Sequence, residues 1–334
     1  MSHRSSTLVL SGALVLALSN TGTQVISAQP GPVPQITTTT TTTHNIHTVF
    51  VIVMENHNWS NILGNPHAPY INKTLLPVAA NARRYYNPPG NHPSLPNYLW
   101  MEAGRNFGVT DDDSPVYRSV NTTKHLVTLL YHMGIRWRAY AEDIDGTQCP
   151  LADSGLYAVR HNPFVYFDDV TDNLNPNSAY CIAHVRPFTQ LLTDISGPAA
   201  PSYAFIIPDL CDDMHQSCNG GNAVLQGDTW LSKYVPIIMS SAAFVNGGAI
   251  FITWDEGNGT DDLSTSTAEG PDPTDGPLGM IVLSPYAKHG YTNYIQYNHG
   301  ALLRTVEEIF GIVPPMPADI VRDADLSDLF ATFP

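Results

Sequence analysis

Several stretches of this chain are continuously apolar and then stop on polar side chains. The run His47-Thr-Val-Phe-Val-Ile-Val-Met54 stops at Glu55-Asn56-His57. Ser202-Tyr-Ala-Phe-Ile-Ile-Pro208 stops at Asp209, with Asp213 and His215 just beyond. Gly248-Ala-Ile-Phe-Ile-Thr-Trp254 stops at Asp255-Glu256, and Gly279-Met-Ile-Val-Leu-Ser284 stops at Pro285-Tyr286. Unbroken Val/Ile/Phe runs without a polar face predict strands of a parallel sheet covered on both sides. A further strand is predicted over Ile135–Ala141 after the Met133-Gly134 stop. Helical spacing follows over Thr123–Met133, over Asp228–Met239 with Asp228 as its N-cap, and over His299–Phe310. This alternation predicts an α/β fold: a three-layer sandwich with a mostly parallel central sheet. Ligands of such sheets bind at the carboxyl ends of the strands. Carboxylates collected there suit one divalent metal ion held by oxygen, whose identity the residues leave open.

Composition narrows the ligand. The 334 residues carry a formal charge of −15, which disfavours nucleic acid as a partner. A small phosphorylated substrate remains compatible, its positive counter-charge coming from a metal, a helix N-terminus or a few local Arg and His. Residues 1–28 read as a signal peptide: a basic start at Arg4, an apolar Leu8–Leu18 stretch and small residues at Ser27-Ala28. The rival reading is a retained anchor, but the apolar stretch is short for a bilayer, so stable membrane insertion is not expected. Residues 29–45, Pro- and Thr-rich, read as a disordered spacer, and 46–334 as a single catalytic domain of a secreted or periplasmic protein. The cysteines fit an oxidising compartment, with Cys149–Cys181 and Cys211–Cys218 the preferred of three pairings; their spacing disfavours a zinc–thiolate site. Sequons at Asn58, Asn72, Asn121 and Asn258 suit a glycoprotein. Residues 257–278 read as a loop near the site.

A nucleophile is suggested by Asn91-His-Pro-Ser94-Leu-Pro-Asn97-Tyr98, where turn residues precede a helix-compatible run. A hydroxyl at a helix N-terminus meets backbone N–H groups and the positive end of the helix dipole. The plain alternative is that Ser94 only caps the helix.

Val51-Ile-Val-Met-Glu-Asn-His57, His92-Pro-Ser-Leu-Pro-Asn-Tyr98, Pro208-Asp-Leu-Cys-Asp-Asp-Met-His215, Thr253-Trp-Asp-Glu-Gly257 and Tyr297-Asn-His-Gly-Ala-Leu-Leu-Arg-Thr-Val-Glu307 occur in this order. Together they resemble the phosphoesterase family that contains secreted acid phosphatases and phosphatidylcholine-type phospholipases C, within the alkaline-phosphatase-like superfamily. The resemblance spans roughly residues 46–315. It implies Glu55, Asn56, Ser94, Asp255 and Glu256 as metal ligands, with Ser94 also the nucleophile. It implies His161, His215 and His299 as groups that bind phosphate or protonate the leaving oxygen, and Asn97 as a donor to a phosphate oxygen. Asp209 and Asp228 are expected as supporting residues behind the ligands, with a structural role as the alternative.

The expected activity is that of a metal-dependent acid phosphatase acting on phosphate monoesters, phosphoinositides among them. A phospholipase C-like phosphodiesterase is the alternative, and a secreted protein that binds a phosphate ligand without catalysis is the rival from another class.

Overall fold

Apolar runs with no polar face have to be covered on both sides, and the fold does this with one sheet. A computed structural model describes residues 44–88, 90–258, 275–313, 316 and 324–334. Its strands are β1 (Thr48–Met54), β2 (Ala80–Tyr86), β3 (Trp137–Ala141), β4 (Val185–Pro187), β5 (Tyr203–Ile207), β6 (Gly248–Trp254), β7 (Met280–Leu283) and β8 (Tyr291–Asn298). They form a single sheet in the order β4-β3-β5-β1-β6-β7-β2-β8. Every residue of β1, β5, β6 and β7 is buried. Each fully buried Val, Ile or Phe contributes about 1.5–3 kcal/mol.

The sheet is mostly parallel, as expected, with one departure. β7 runs antiparallel to both β6 and β2, Thr253 lying opposite Met280 and Ile250 opposite Leu283. Pro285-Tyr286 therefore lies at the end of the sheet where β6 begins, not beside the other strand ends. The start of β7 faces the carboxyl end of β6 instead. Strands β2, β4 and β8 escape the apolar-run criterion. β8 is polar in composition because it is an edge and leaves much of its surface in solvent, and in β2 (Ala-Asn-Ala-Arg-Arg-Tyr-Tyr), its inner neighbour, Arg83 and Arg84 bond Tyr294 and Gln296 of β8.

The helix expected from Asp228 begins earlier, at Ala223, and runs to Ser240. Asn222 is its N-cap, accepting from Leu225 N at 3.0 Å. Asp228 lies inside it and accepts from Tyr70 N at 2.9 Å and Ile71 N at 2.8 Å. Asp228 thus holds a neighbouring turn and does not support the strand-end acids. Gly227 is required by close packing, since a Cβ there would run into Met214 and Met54.

The Cys149–Cys181 and Cys211–Cys218 disulfides are both present. Asn58 is fully buried and donates to Asn258 Oδ1 at 3.2 Å, so it is no glycan acceptor, whereas Asn121 is exposed. The expected signal peptide, the spacer up to residue 43 and most of the 257–278 loop lie outside the described residues. No helix among the described residues is long and apolar enough to cross a membrane.

A buried ion-pair cluster joins the helices on one face. His125 Nδ1 lies 2.8 Å from Glu102 Oε1 and its Nε2 lies 3.0 Å from Asp169 Oδ1. The ring stacks on Phe167, and Thr128 Oγ1 donates to Asp169 at 2.7 Å. Burial alone would favour the neutral ring, but the bonds to Asp169 and Glu102 outweigh it and raise the imidazole from 6.5 to about 9. A raised folded pKa means the stabilisation is complete below pH 6.5 and is lost as pH rises through about 9. His125→Gln is expected to cost about 3–5 kcal/mol. Urea titrations of both proteins should show the gap largest below pH 6.5 and narrowing above pH 9.

Candidate functional site

The site starts from strand register. β1 and β6 pair in parallel from Thr48 opposite Gly248 to Met54 opposite Trp254. The next residue on each strand is an acid, so Glu55 and Asp255 emerge side by side. Asp255 N donates back to Met54 O at 3.1 Å, and both side chains are fully buried. Asn56 follows with φ at 45°, a left-handed conformation Asn tolerates better than most residues. That turn brings Asn56 N to Asp255 Oδ1 at 3.4 Å. The Asn56 amide has two possible faces. With nitrogen inward it donates to Asp255 Oδ1 at 3.2 Å and to Glu55 Oε2; with oxygen inward it adds another acceptor to the cluster.

Ser94 opens the Ser94–Ala103 helix, which Gly104 ends in a left-handed turn at φ 66°. Ser94 Oγ donates to Glu55 Oε2 at 3.1 Å and is in hydrogen-bonding reach of Asp255. The amides expected to be free at this helix start are fewer than the sequence suggested. Leu95 N is bonded to Asp112 Oδ1 at 2.9 Å, and Pro96 has no N–H. Tyr98, one turn on, donates to Glu55 Oε1 at 2.5 Å. Burial and the nearby carboxylates push the Tyr98 hydroxyl well up, so it stays a donor.

The three expected histidines part company. His161 is buried, stacked on Tyr98, with Nε2 3.3 Å from Glu55 Oε1 and Nδ1 3.3 Å from Asp213 Oδ2. Burial pushes its pKa well down. His215 lies beside it, 3.4 Å from Arg160, and burial lowers it as well. His299 is engaged at both nitrogens, by Tyr85 at 3.2 Å and by the Asp255 carbonyl at 2.5 Å, and burial lowers it to about 4. His299 thus ties the Asp255 turn to Tyr85.

Glu256 is engaged by the nucleophile loop, its Oε2 meeting His92 Nδ1 at 2.8 Å and Asn97 Nδ2 at 3.2 Å, while its charge still acts on Asp255 and Glu55. Oε1 meets Asn56 Nδ2 at 3.4 Å in one orientation of that amide. Asn97 Nδ2 additionally donates to Asn91 O and Pro93 O, so this amide braces the loop as placed. Asp209 caps a turn by accepting from Cys211 N and Asp212 N, and that turn delivers Asp213, whose carbonyl accepts from Glu55 N at 2.7 Å. Asp209 thus reaches Glu55 only through the backbone of its turn, whereas Asp228 bonds Tyr70 N and Ile71 N.

Residues missed as site members include Asp213, Tyr98, Arg160, His92 and Asp275. Asp213 stands in the quoted Pro208–His215 motif, but spacing alone could not tell it from Asp209. Arg160 lies 3.5 Å from Asp112 and beside His215, so a guanidinium borders this cluster.

A cation fits these residues. Asp255 Oδ2 and Asp213 Oδ2 are buried without a hydrogen-bond donor, each otherwise a cost of about 1–3 kcal/mol. Burial first, then the neighbouring carboxylates, pushes Glu55 and Asp255 well up, and Asp213 is pushed up by burial. Glu55, His161 and Asp213 also bring one ligand atom each within 4.8 Å of one another. Glu55 is shared between that group and the Asn56–Ser94–Asp255 side.

The Phosphoesterase family model matches residues 82–313. The chain is 27% identical over 288 residues to the phosphatidylinositol-3-phosphatase of Mycobacterium tuberculosis, covering 86% of this chain and 85% of that protein. It is 28% identical to the phosphate-repressible acid phosphatase of Penicillium chrysogenum over 50% of this chain but only 39% of that protein. Among solved structures, human ectonucleotide pyrophosphatase/phosphodiesterase 5 superposes at TM-score 0.53 with 10% identity, covering 85% of this chain and 100% of that one. An alkaline phosphatase superfamily protein of Vibrio parahaemolyticus gives 0.53 with 9% identity, covering 85% and 72%. These superpositions establish the shared fold.

Titrating the protein with Mg²⁺, Mn²⁺ or Zn²⁺ should raise its thermal midpoint, by about 2.7 kcal/mol of stabilisation at ~100 times Kd. Asp255→Asn should flatten that rise; an unchanged rise would exclude Asp255 as a ligand.

Proposed function

We propose, from the premise that the chain belongs to the Phosphoesterase family, that it is a secreted, metal-dependent acid phosphatase cleaving phosphate monoesters through Ser94. One observation carries this reading: the Ser94 hydroxyl heads a helix and donates to Glu55, within reach of Asp255, all three buried. The name of the mycobacterial relative supports phosphoinositides among the substrates. Residues 1–28 would be the signal peptide, 29–45 the spacer and 46–334 the catalytic domain.

Glu55, Asn56, Ser94 and Asp255 would hold the cation, with Asp213 and His161 on its other side. The bound metal would supply positive charge that neutralises phosphate and favours the ionised serine. Ser94 Oγ attacks phosphorus in line; the new O–P bond forms as the ester O–P bond breaks. Tyr98 and His161 hold Glu55 in position through its Oε1 while its Oε2 faces the serine. His215 protonates the leaving alcohol oxygen, with Arg160 close enough to attract a phosphate oxygen. Water then attacks the phosphoserine, its proton passing to His215, and the Oγ–P bond breaks to release inorganic phosphate and regenerate the ionised Ser94.

Ser94→Ala should abolish turnover of p-nitrophenyl phosphate, a loss of at least ~10³-fold, while its circular dichroism matches wild type. Retained activity would remove Ser94 as nucleophile. Chelator should stop wild-type turnover, and turnover of p-nitrophenyl phosphorylcholine alone would favour the diesterase reading. His215→Asn should slow alkyl phosphates more than p-nitrophenyl phosphate, because a poor leaving group depends more on the proton. Equal losses on both would sink that assignment.

A further inference from the structure

Ser94 is gripped from both sides by one carboxylate. Glu256 Oε2 meets His92, two residues before the serine, and Asn97, three residues after it. The other ring nitrogen of His92, Nε2, lies 2.6 Å from Asp275 Oδ2. Asp275 is itself fixed. Asn87 Nδ2, just past β2, donates to Asp275 at 3.1 Å and also to Asn91 O at 3.1 Å. Gly257 leaves room for it, since a Cβ there would collide with Asp275 and Asn58. The imidazole thus joins two buried acids that flank the turn after β6 and the start of β7, and the adjoining peptide carries Ser94.

We propose that Asp275–His92–Glu256 is a positioning tether that sets where Ser94 Oγ sits relative to Asp255. The inference deepens the proposed reaction and rests on it for its kinetic readout. His92 does not touch the reacting atoms. It fixes the loop that bears them to the loop that bears Asp255. Misplacing a nucleophile by about 1 Å can cost ~10²-fold in rate, whereas substrate contacts made elsewhere are untouched. Loss of the tether therefore acts on kcat and leaves KM nearly unchanged.

The test uses the full chain with p-nitrophenyl phosphate. His92→Ala is expected to lower kcat by ~10–100-fold with KM within about 3-fold. Asp275→Asn should lower it less, and the double variant should be no worse than His92→Ala because both act through one contact. The His92 side chain is 29% exposed, so added imidazole can reach the gap and should restore part of kcat in His92→Ala but none in Ser94→Ala. A kcat within about 2-fold of wild type, or a loss that imidazole does not relieve and that tracks a lower thermal midpoint, would overturn the tether. If His92→Ala does not fold, His92→Gln and Asp275→Asn decide by the same kcat criterion. An inert wild type would mean that the phosphatase reading has failed. The tether is then judged by the ¹⁵N signals of His92, which should show both ring nitrogens hydrogen-bonded and shift in Asp275→Asn; no shift would overturn it.

Discussion

Met54 and Trp254 lie opposite each other in a parallel ladder, so the next residues, Glu55 and Asp255, cannot avoid each other. Both are buried, and Asp213 arrives from the turn after β5 to make a third acid. Like charges this close in a poorly solvated place are unfavourable unless protons, donors or a cation compensate. Much of the surrounding structure can be read as compensation. Ser94 and Tyr98 donate to Glu55, Asn56 N donates to Asp255, and His161 stands between Glu55 and Asp213. The unpartnered Asp255 and Asp213 oxygens are what this protein framework leaves for a metal.

The same arrangement explains why residues of similar chemistry differ in role. Glu256 directly follows Asp255, yet successive side chains near a strand end point apart, and Glu256 meets His92 and Asn97 instead. His161 and His299 are equally buried, but His161 faces two carboxylates whereas His299 is closed off between a tyrosine hydroxyl and a backbone carbonyl. Position relative to the acid pair, not residue type, separates them.

Much of the fold was legible in the chain. β1, β5 and β6 are apolar throughout because both faces are covered, and such runs stand out in one dimension. The polar strand β8 did not stand out, since an edge position relaxes the requirement for apolar side chains, nor did its inner neighbour β2, which carries Asn81, Arg83 and Arg84. Direction was not legible either. A buried run reads the same whether parallel or antiparallel, so Pro285-Tyr286 looked like a strand end at the site although the antiparallel β7 carries it to the far end and brings Asp275 near instead. Asp228 looked like a helix cap because Asp favours that place, but the helix begins at Ala223, with Gly227 fitted against Met214 and Met54.

The sequence by itself determined the sheet-covered α/β class and the candidates Glu55, Asn56, Ser94 and Asp255, because each is a local signal: an apolar run, a polar residue at a strand end, a serine at a helix start; among three possible cysteine pairings it only favoured the one the structure holds. The tertiary structure alone decided which acids share a cluster, which histidine faces them, and that His92 bridges Glu256 to Asp275. Those outcomes depend on strand order and direction, which join residues up to about two hundred positions apart, such as Glu55 with Asp255, and no local pattern encodes such a pairing.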